Sequence, residues 1–362
     1  MNRDLSAAIL LIGLAAASCT ESPGGRPPAV ADASAGNDLL AVDVLPPAGD
    51  VLPPVQDAGD DVVPDLAADT AREAGRADGA IDRTETSGGA CPPSSAPLGP
   101  DQPWIVPFAS DVIGRLSGEL ELIPGLSLRD RATTSSRKLA RDHLAAVLQQ
   151  FGLTPQTHEY GTGVNLFARL NSTTGAGPEV VLGAHFDTVP QSPGANDNAT
   201  GVAVVLAVAR FLSQLDCRSK AVVVVLFDEE EVGRLGSQAF AAKLAADGVA
   251  VHSVHTVDQV GWDRNADRLI ELERADPGLR ELYDRAVVKL GVAIPLVDTS
   301  TGSTDHVSFR PRFPAVGVTE GYRSGDTTPH RHMATDRFPT INIDYLKSTT
   351  VLVSQVIADL VR

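Results

Sequence analysis

The chain of 362 residues is short of positive charge, of cysteine, of aromatic side chains and of apolar runs long enough to cross a bilayer. Thirty Lys and Arg stand against 46 Asp and Glu, giving a net charge of −16. That deficit argues against nucleic-acid binding, which needs a basic footprint. Aromatics make up only 4% of the chain, but hydrophobic residues as a whole make up 43%, enough for a sizeable core. The length admits one large domain or two modest ones.

The apolar run at the start, residues 7–17, is far below the roughly 20 residues that a membrane-spanning helix needs. It follows Arg3 and leads through small residues to Cys19, the arrangement of a secretory signal. The stretch is also similar to a bacterial lipoprotein signal, in which the cysteine is lipidated and becomes the new N-terminus. The departure is Ala16, where that pattern prefers Leu. Residues 1–19 are therefore read as a signal peptide of lipoprotein type, and the protein as exported, either a cell-envelope lipoprotein or secreted. Membrane contact would come only through a lipid on Cys19, and a single acyl chain anchors weakly. Disulfides persist outside the cytosol. The two remaining cysteines, Cys91 and Cys217, are then either bridged or both free.

Acid is concentrated early. Residues 20–90 hold fourteen Asp and Glu against four Arg, so most of the charge imbalance lies there. Pro, Ala and Gly recur, and "DVLPP" occurs at Asp43–Pro47 and again at Asp50–Pro54. No helical or strand period survives, so residues 20–100 are expected to be a disordered tether without chemistry of its own.

From 101 to the end the pattern changes. Helical spacing marks Thr133–Gly152, Gly201–Leu215, Ser237–Gly248, Gly278–Gly291 and Asn342–Val361, the last capped by Asn342 or Asp344. Strand patterns mark Val164–Leu170, Glu179–Asp187, Lys220–Glu231, Val251–Gly261 and Pro314–Gly321. Strands alternating with helices indicate an α/β three-layer αβα sandwich on a mixed, mostly parallel sheet. Such sheets bind ligands beyond the carboxyl ends of their strands.

The polar residues gather at those ends. His185 and Asp187 close one strand, Asp197 lies in the loop after it, Glu230 and Glu231 follow "VVVVLF", and Asp258 follows "VHTV". Asp305, His306, His330 and His332 come late. So many acids at one crevice would raise each other's pKa unless a cation neutralises them. Imidazoles with carboxylates form a donor set that zinc accepts. Two ions about 3.5–4 Å apart need a carboxylate that can bridge them.

"GAHFD", "GANDNATG", "FDEEEVGRLGS", "TVDQVG", "STDHVSF" and "HRHMATD", taken in order, resemble the motifs of the secreted bacterial di-zinc aminopeptidases. These are co-catalytic zinc exopeptidases of the leucyl aminopeptidase type, related to glutamate carboxypeptidases and glutaminyl cyclases. The likeness runs from about residue 130 to the end. It implies two Zn2+ ions, one held by His185 and Asp258, the other by Glu231 and His332, with Asp197 bridging them. It further implies that Glu230 is the general base, that Asp187 orients the His185 ring, and that the Asp197–Asn198 peptide is cis. The family's Glu-Glu-x-Gly-x-x-Gly-Ser form selects Glu230 and Glu231 and leaves Glu229 outside. Its His, four residues before an Asp, selects His332 with Asp336 over His330. The family often has Thr after that Asp; here it is Arg337.

The implied reaction is hydrolysis of the N-terminal residue of a peptide with a free amine, in a monomer. Three alternatives stay open: a carboxypeptidase of the same fold, a glutaminyl cyclase-like transferase, and an inactive binding module. Arg310, Arg312, Arg323 and Arg331 are the candidate readers of a substrate carboxylate under the first of these. Dimeric dipeptidases share "HFDTVP", but Asp197 stands too close to His185 for them and no lid domain fits before His332. His252 and His255 read as structural, His158 has no motif partner, and Asp305 and His306 are assigned a supporting or substrate-facing role.

Overall fold

The computed structural model describes Cys91, residues 102–175 and residues 177–362. The expected signal peptide lies outside the described residues, and so does the expected tether apart from Cys91. All described residues fall in one compact unit, Ile81–Arg362.

The core is a mixed sheet of eight strands: β1 Gln156–Tyr160, β2 Gly163–Leu170, β3 Glu179–His185, β4 Val222–Phe227, β5 Val251–Val257, β6 Ile270–Glu273, β7 Leu296–Thr299 and β8 Ala315–Thr319. Their spatial order is β1-β2-β4-β3-β5-β8-β6-β7. The central strands β4, β3, β5 and β8 are mutually parallel, while β2 runs antiparallel to both β4 and the edge strand β1, and β6 runs antiparallel to β8. The α-helices described are α1 Ile105–Leu116, α2 Thr134–Gln150, α3 Gly201–Ser213, α4 Leu235–Ala246, α5 Pro277–Leu290 and α6 Ile343–Val361.

The apolar run of β4 is explained by burial on both faces. Val222, Val224 and Leu226 enter the larger core, shared with α1, α3 and α6. Val223, Val225 and Phe227 enter a second core against Phe240 and Leu244 of α4 and the ring of Phe309. This is the period of two expected of a strand with a layer on each side. Helix α3 is buried from Gly201 through Ala209, which is why it is apolar around its circumference. Helix α6 starts at Asn342, whose side chain accepts the Tyr345 N–H at 3.1 Å, so Asn342 and not Asp344 is the cap. Among the described residues no helix is long and apolar enough to cross a membrane.

The αβα sandwich read from the sequence is the observed fold, with differences at element ends. The strand expected over Lys220–Glu231 stops at Phe227, because Glu229 takes φ 59° and turns the chain out of the sheet. Likewise β5 stops at Val257 rather than Gly261. Helix α1 and strands β1, β6 and β7 were not anticipated. The last two span four residues each, too few to show a period, and β1 is a polar edge strand. Cys91 and Cys217 are bonded, closing a loop over a separation of 126 residues.

Topology places the site. From β3 the chain passes through α3 to β4 on one side, then through α4 to β5 on the other side of β3. The two connections therefore leave the adjacent carboxyl ends of β3 and β4 toward opposite faces of the sheet, the position where open α/β sheets leave a crevice.

Candidate metal centre and active site

His185 is the last residue of β3, and Asp258 follows β5 directly. Glu229, Glu230 and Glu231 form the turn after β4, Asp197 sits in the loop that feeds α3, and His332 lies between β8 and α6. Folding brings these remote positions into contact. His185 Nε2 is 3.3 Å from Asp197 Oδ1 and 3.4 Å from Asp258 Oδ1. His332 Nε2 is 3.3 Å from Asp197 Oδ2 and 3.0 Å from Glu231 Oε2. The result is two groups, His185–Asp197–Asp258 and Asp197–Glu231–His332, whose ligand atoms lie within 4.8 Å of one another. Asp197 belongs to both and offers a different oxygen to each.

The backbone around these side chains is itself clamped. Asp187 accepts the N–H of Glu230 at 3.0 Å on one oxygen and that of Glu231 at 3.1 Å on the other, while its Oδ1 lies 3.4 Å from His185 Nδ1. Asp336 does the same for the other loop, accepting the N–H of Asn196 at 2.8 Å and of Asp197 at 3.0 Å. The Asp197–Asn198 peptide is cis, as the resemblance implies. Gly201 lets the start of α3 come close to this corner: a Cβ there would stand 2.4 Å from the Val257 carbonyl oxygen and 2.3 Å from Asn198 Oδ1. Arg131, fully buried, ties the crevice floor together by donating to the carbonyls of Phe186, Leu116, Pro193 and Gly194 at 2.5–3.0 Å. Glu320 accepts from Asn196 Nδ2 and from the Trp262 N–H.

The electrostatics are those of a site built for positive charge. Burial would raise the pKa of Asp197, but His185 and His332 hold it below the usual carboxylate range. Burial opposes charge on His185, yet Asp258, Asp187 and Asp197 keep its pKa well above the ordinary value. His332, with Nε2 3.3 Å from Asp197 Oδ2 and 3.0 Å from Glu231 Oε2, is pushed up to about 10 by these two carboxylates. Glu230 is pushed up to about 9 by burial and by repulsion from Asp305, Asp258 and Glu231. Asp305, itself buried, is pushed up to about 7. Among the described residues, buried oxygens Asp197 Oδ2, Asp258 Oδ1 and Glu231 Oε1 have no hydrogen-bond donor. Unpartnered buried acceptors are costly, and a divalent cation at each triad would satisfy all three. Two imidazoles and three carboxylates fit zinc.

Residues 165–357 match the profile of peptidase family M28. The chain belongs to that family. It is 34% identical to aminopeptidase YwaD of Bacillus subtilis over 137 residues, which cover 36% of this chain and 30% of the relative. The chain spans about half the length, or less, of the curated relatives it matches. In three dimensions it is similar to the Legionella pneumophila LapA aminopeptidase, with a TM-score of 0.62, 18% identity and coverage of 70% and 71% of the two chains; that likeness concerns the fold. It is also similar to BSAP, a zinc aminopeptidase from Bacillus subtilis, with a TM-score of 0.50, 25% identity and coverage of 55% and 50%.

All seven sequence-assigned residues, His185, Asp187, Asp197, Glu230, Glu231, Asp258 and His332, gather at this one crevice of the M28 fold. His330 does not; its Nδ1 pairs with Thr335 Oγ1 at 3.0 Å and its ring packs edge-on against Trp262. His255 pairs with Tyr283 and Ser253, a structural role. His158 contacts Asn165 and the Phe240 ring. Asp305 lies close enough to raise Glu230, while His306 contacts Thr304 and Glu273. Of the four arginines, Arg310 is spent on the carbonyls of Arg274 and Ala315 and on Asp276, whereas Arg331 reaches the site with Nε 3.5 Å from Asp197 Oδ2. Sequence reasoning missed Arg131 and Glu320, because each acts through its depth of burial, and neither "LRDRATT" nor "VTEGY" carries a periodic sign of that depth.

Proposed function

We propose that the protein is a zinc-dependent exopeptidase that hydrolyses the N-terminal residue from peptides with a free amine. The observation that carries this reading is the shared Asp197: one buried carboxylate presents an oxygen to each of two His-carboxylate groups. His185 and Asp258 would hold one zinc ion, Glu231 and His332 the other, with Asp197 between them. Zinc supplies Lewis acidity, lowering the pKa of a water and polarising the scissile carbonyl.

The chain's own residues do the rest. Glu230 stands among the ligands without being one, and is positioned as general base: it takes the proton of the attacking water and delivers it to the leaving amine. To do so it must be ionised. Burial first, and then Asp305, Asp258 and Glu231, push its pKa up to about 9; of these acids Asp258 and Glu231 are the ones that bound cations would neutralise, which would favour the ionised base. Asp187 fixes Glu230 through its backbone and orients His185 from the same carboxylate. Residues 1–19 would direct export, with Cys19 as the lipid site and 20–100 as the tether; the Cys91–Cys217 bond is consistent with an oxidising compartment.

The test is Glu230→Gln. This variant should keep its zinc content and lose on the order of 10²–10⁴-fold in kcat on aminoacyl anilides, the usual size of a lost general base. Unchanged turnover would remove Glu230 from the mechanism, and a wild type that cleaves no anilide or peptide with zinc bound would overturn the hydrolase reading.

A further inference from the structure

The sheet face that carries Val181, Val223, Val225 and Phe227 under α4 turns polar toward its β8–β6 side. There β8 offers Gly317 and Thr319, β6 offers Glu273 and Glu271 opposite them, and β7 offers Thr299 opposite Glu273. The reverse face of β8 and β6 is apolar, with Val316, Val318, Ile270 and Leu272 in the larger core. Thr304 and His306 lie against the polar face: Thr304 Oγ1 donates to Glu273 Oε2 at 2.6 Å, and His306 Nδ1 is 3.3 Å from the same oxygen. A Cβ at Gly317 would stand 2.6 Å from Glu273 Oε2, so the glycine makes room for that carboxyl.

This polar layer is incomplete. Glu271 is fully buried, and its Oε1 accepts the N–H of Arg323 at 2.7 Å and the N–H and hydroxyl of Ser324 at 2.6 and 2.7 Å. Its Oε2 has no donor among the described residues, and Gln259 Oε1, Thr299 Oγ1 and His306 Nε2 are likewise buried and unpartnered. Charges of both signs surround these atoms. Glu271, Glu273, Asp305 and Asp258 stand on this side, with Asp187, Asp197, Glu230 and Glu231 in the crevice and Arg331 beside Asp197. Arg323, Arg274, Arg234 and Arg310 stand outside and are engaged, the first with Thr301 Oγ1 and the others with the carbonyls of Ser300, Ser303 and Ala315. The hydrogen-bond inventory therefore decides. The Glu271 carboxylate and Gln259 Oε1 only accept, whereas a hydroxyl and a neutral ring nitrogen take either role. A visitor that completes the layer brings donors, and a carboxylate would be turned away.

Position ties the layer to the metal centre. The Asp258 N–H donates to the Val318 carbonyl at 3.0 Å, Thr319 follows, and Glu271 pairs with Thr319 on the next strand. Glu271 thus stands two strand spacings, about 10 Å, from a candidate ligand. A residue whose carbonyl sits at the metals reaches that far only with a long side chain. We infer that Glu271, with Gln259 and Thr299, reads the side chain of the substrate's N-terminal residue and selects one that is long and ends in N–H donors. This rests on the hydrolase reading above. The donors have two sources: a cationic end, as in Lys, or a neutral amide, as in Gln.

The experiment compares matched pairs of anilides on the zinc-loaded protein, Lys against norleucine and Gln against Met. The expected result is a kcat/KM ratio favouring the donor-bearing member of at least one pair by about tenfold or more. A preference in the first pair assigns the cationic source, and one confined to the second assigns the amide. Glu271→Gln should bring the ratio to unity, because its amide oxygen takes the three donors at Oε1 and its NH2 then stands where Oε2 stood. Should that variant fail to fold, Thr299→Val takes its place and should lower the ratio part-way. Ratios near unity in both wild-type pairs, or a ratio that the folded variant leaves unchanged, show that water alone completes the layer and overturn the inference, while turnover of norleucine-anilide still reports hydrolysis. A readout free of turnover is the calorimetric affinity for L-lysine against L-norleucine and for L-glutamine against L-methionine. Wild type should bind the donor-bearing member of at least one pair more tightly; equal affinities in both pairs would overturn the inference even if no substrate were cleaved.

Discussion

Asp187 and Glu230 are joined through the backbone: the Glu230 N–H donates to Asp187 Oδ1 at 3.0 Å, and the other oxygen of Asp187 takes the next amide. The same carboxylate lies 3.4 Å from His185 Nδ1. One side chain thus sets the position of a candidate base and the orientation of a candidate ligand. Asp187→Asn keeps the shape but turns one acceptor into a donor facing an N–H. Zinc affinity, measured by chelator competition, should fall about 10–100-fold. An unchanged affinity would reduce Asp187 to a turn residue.

Arg131 is 0% exposed and donates to four carbonyls under the crevice. Burial lowers its pKa to about 10, and the carboxylates of Asp336 and Asp187 help keep it charged. Arg131→Met leaves those carbonyls without their donors and Asp336 without a counter-charge. The expected loss is about 3–5 kcal/mol in urea denaturation, the cost of breaking a buried charged network. A loss below about 1 kcal/mol would show that water replaces the guanidinium freely.

Glu273 is buried beside His306 and Thr304, and burial pushes it up to about 7 from an ordinary 4.5. The folded state therefore binds the proton more tightly than the unfolded chain. That favours folding below about pH 4.5, and the advantage is lost as pH rises through about 7. Glu273→Gln stays neutral throughout. Relative to this variant, wild type should lose up to about 3 kcal/mol between pH 4.5 and pH 8, read from denaturation midpoints at each pH. A constant difference between the two proteins would contradict the burial argument.

Bonding Cys91 to Cys217 closes a loop over a separation of 126 residues. Restricting so long a loop in the unfolded chain stabilises the fold by roughly 2–5 kcal/mol. Cys217→Ser should lower the denaturation midpoint, and reductant should bring wild type toward the variant. If reductant has no effect on wild type, the bond is not formed in solution.

The sequence disclosed the parts of this molecule that repeat or that carry charge in unusual places. The two-faced burial of β4 is written as "VVVVLF", and the acids after it stand out because an apolar strand seldom ends in three glutamates. The ligand set was legible because short motifs such as "GAHFD", "GANDNATG", "FDEEEVGRLGS", "TVDQVG" and "HRHMATD" resemble those of the di-zinc aminopeptidases. What stayed hidden depends on distance in space. Nothing near Arg131 announces that its guanidinium will lie under Phe186 and Gly194, because four separate segments must fold before those carbonyls converge. The short strands β6 and β7 are likewise defined by pairing partners rather than by their own four residues. His306 stands next to Asp305 in the sequence, and its ring contacts Thr304 and Glu273 rather than the ligand set.

The central claim is that Asp197 serves two metal ions at once. Metal analysis of protein dialysed against dilute zinc, in wild type and in Asp197→Ala, tests it directly. The account predicts two zinc ions per wild-type chain and less than one in the variant. A wild type that saturates at one ion, or a variant that keeps both, would contradict it.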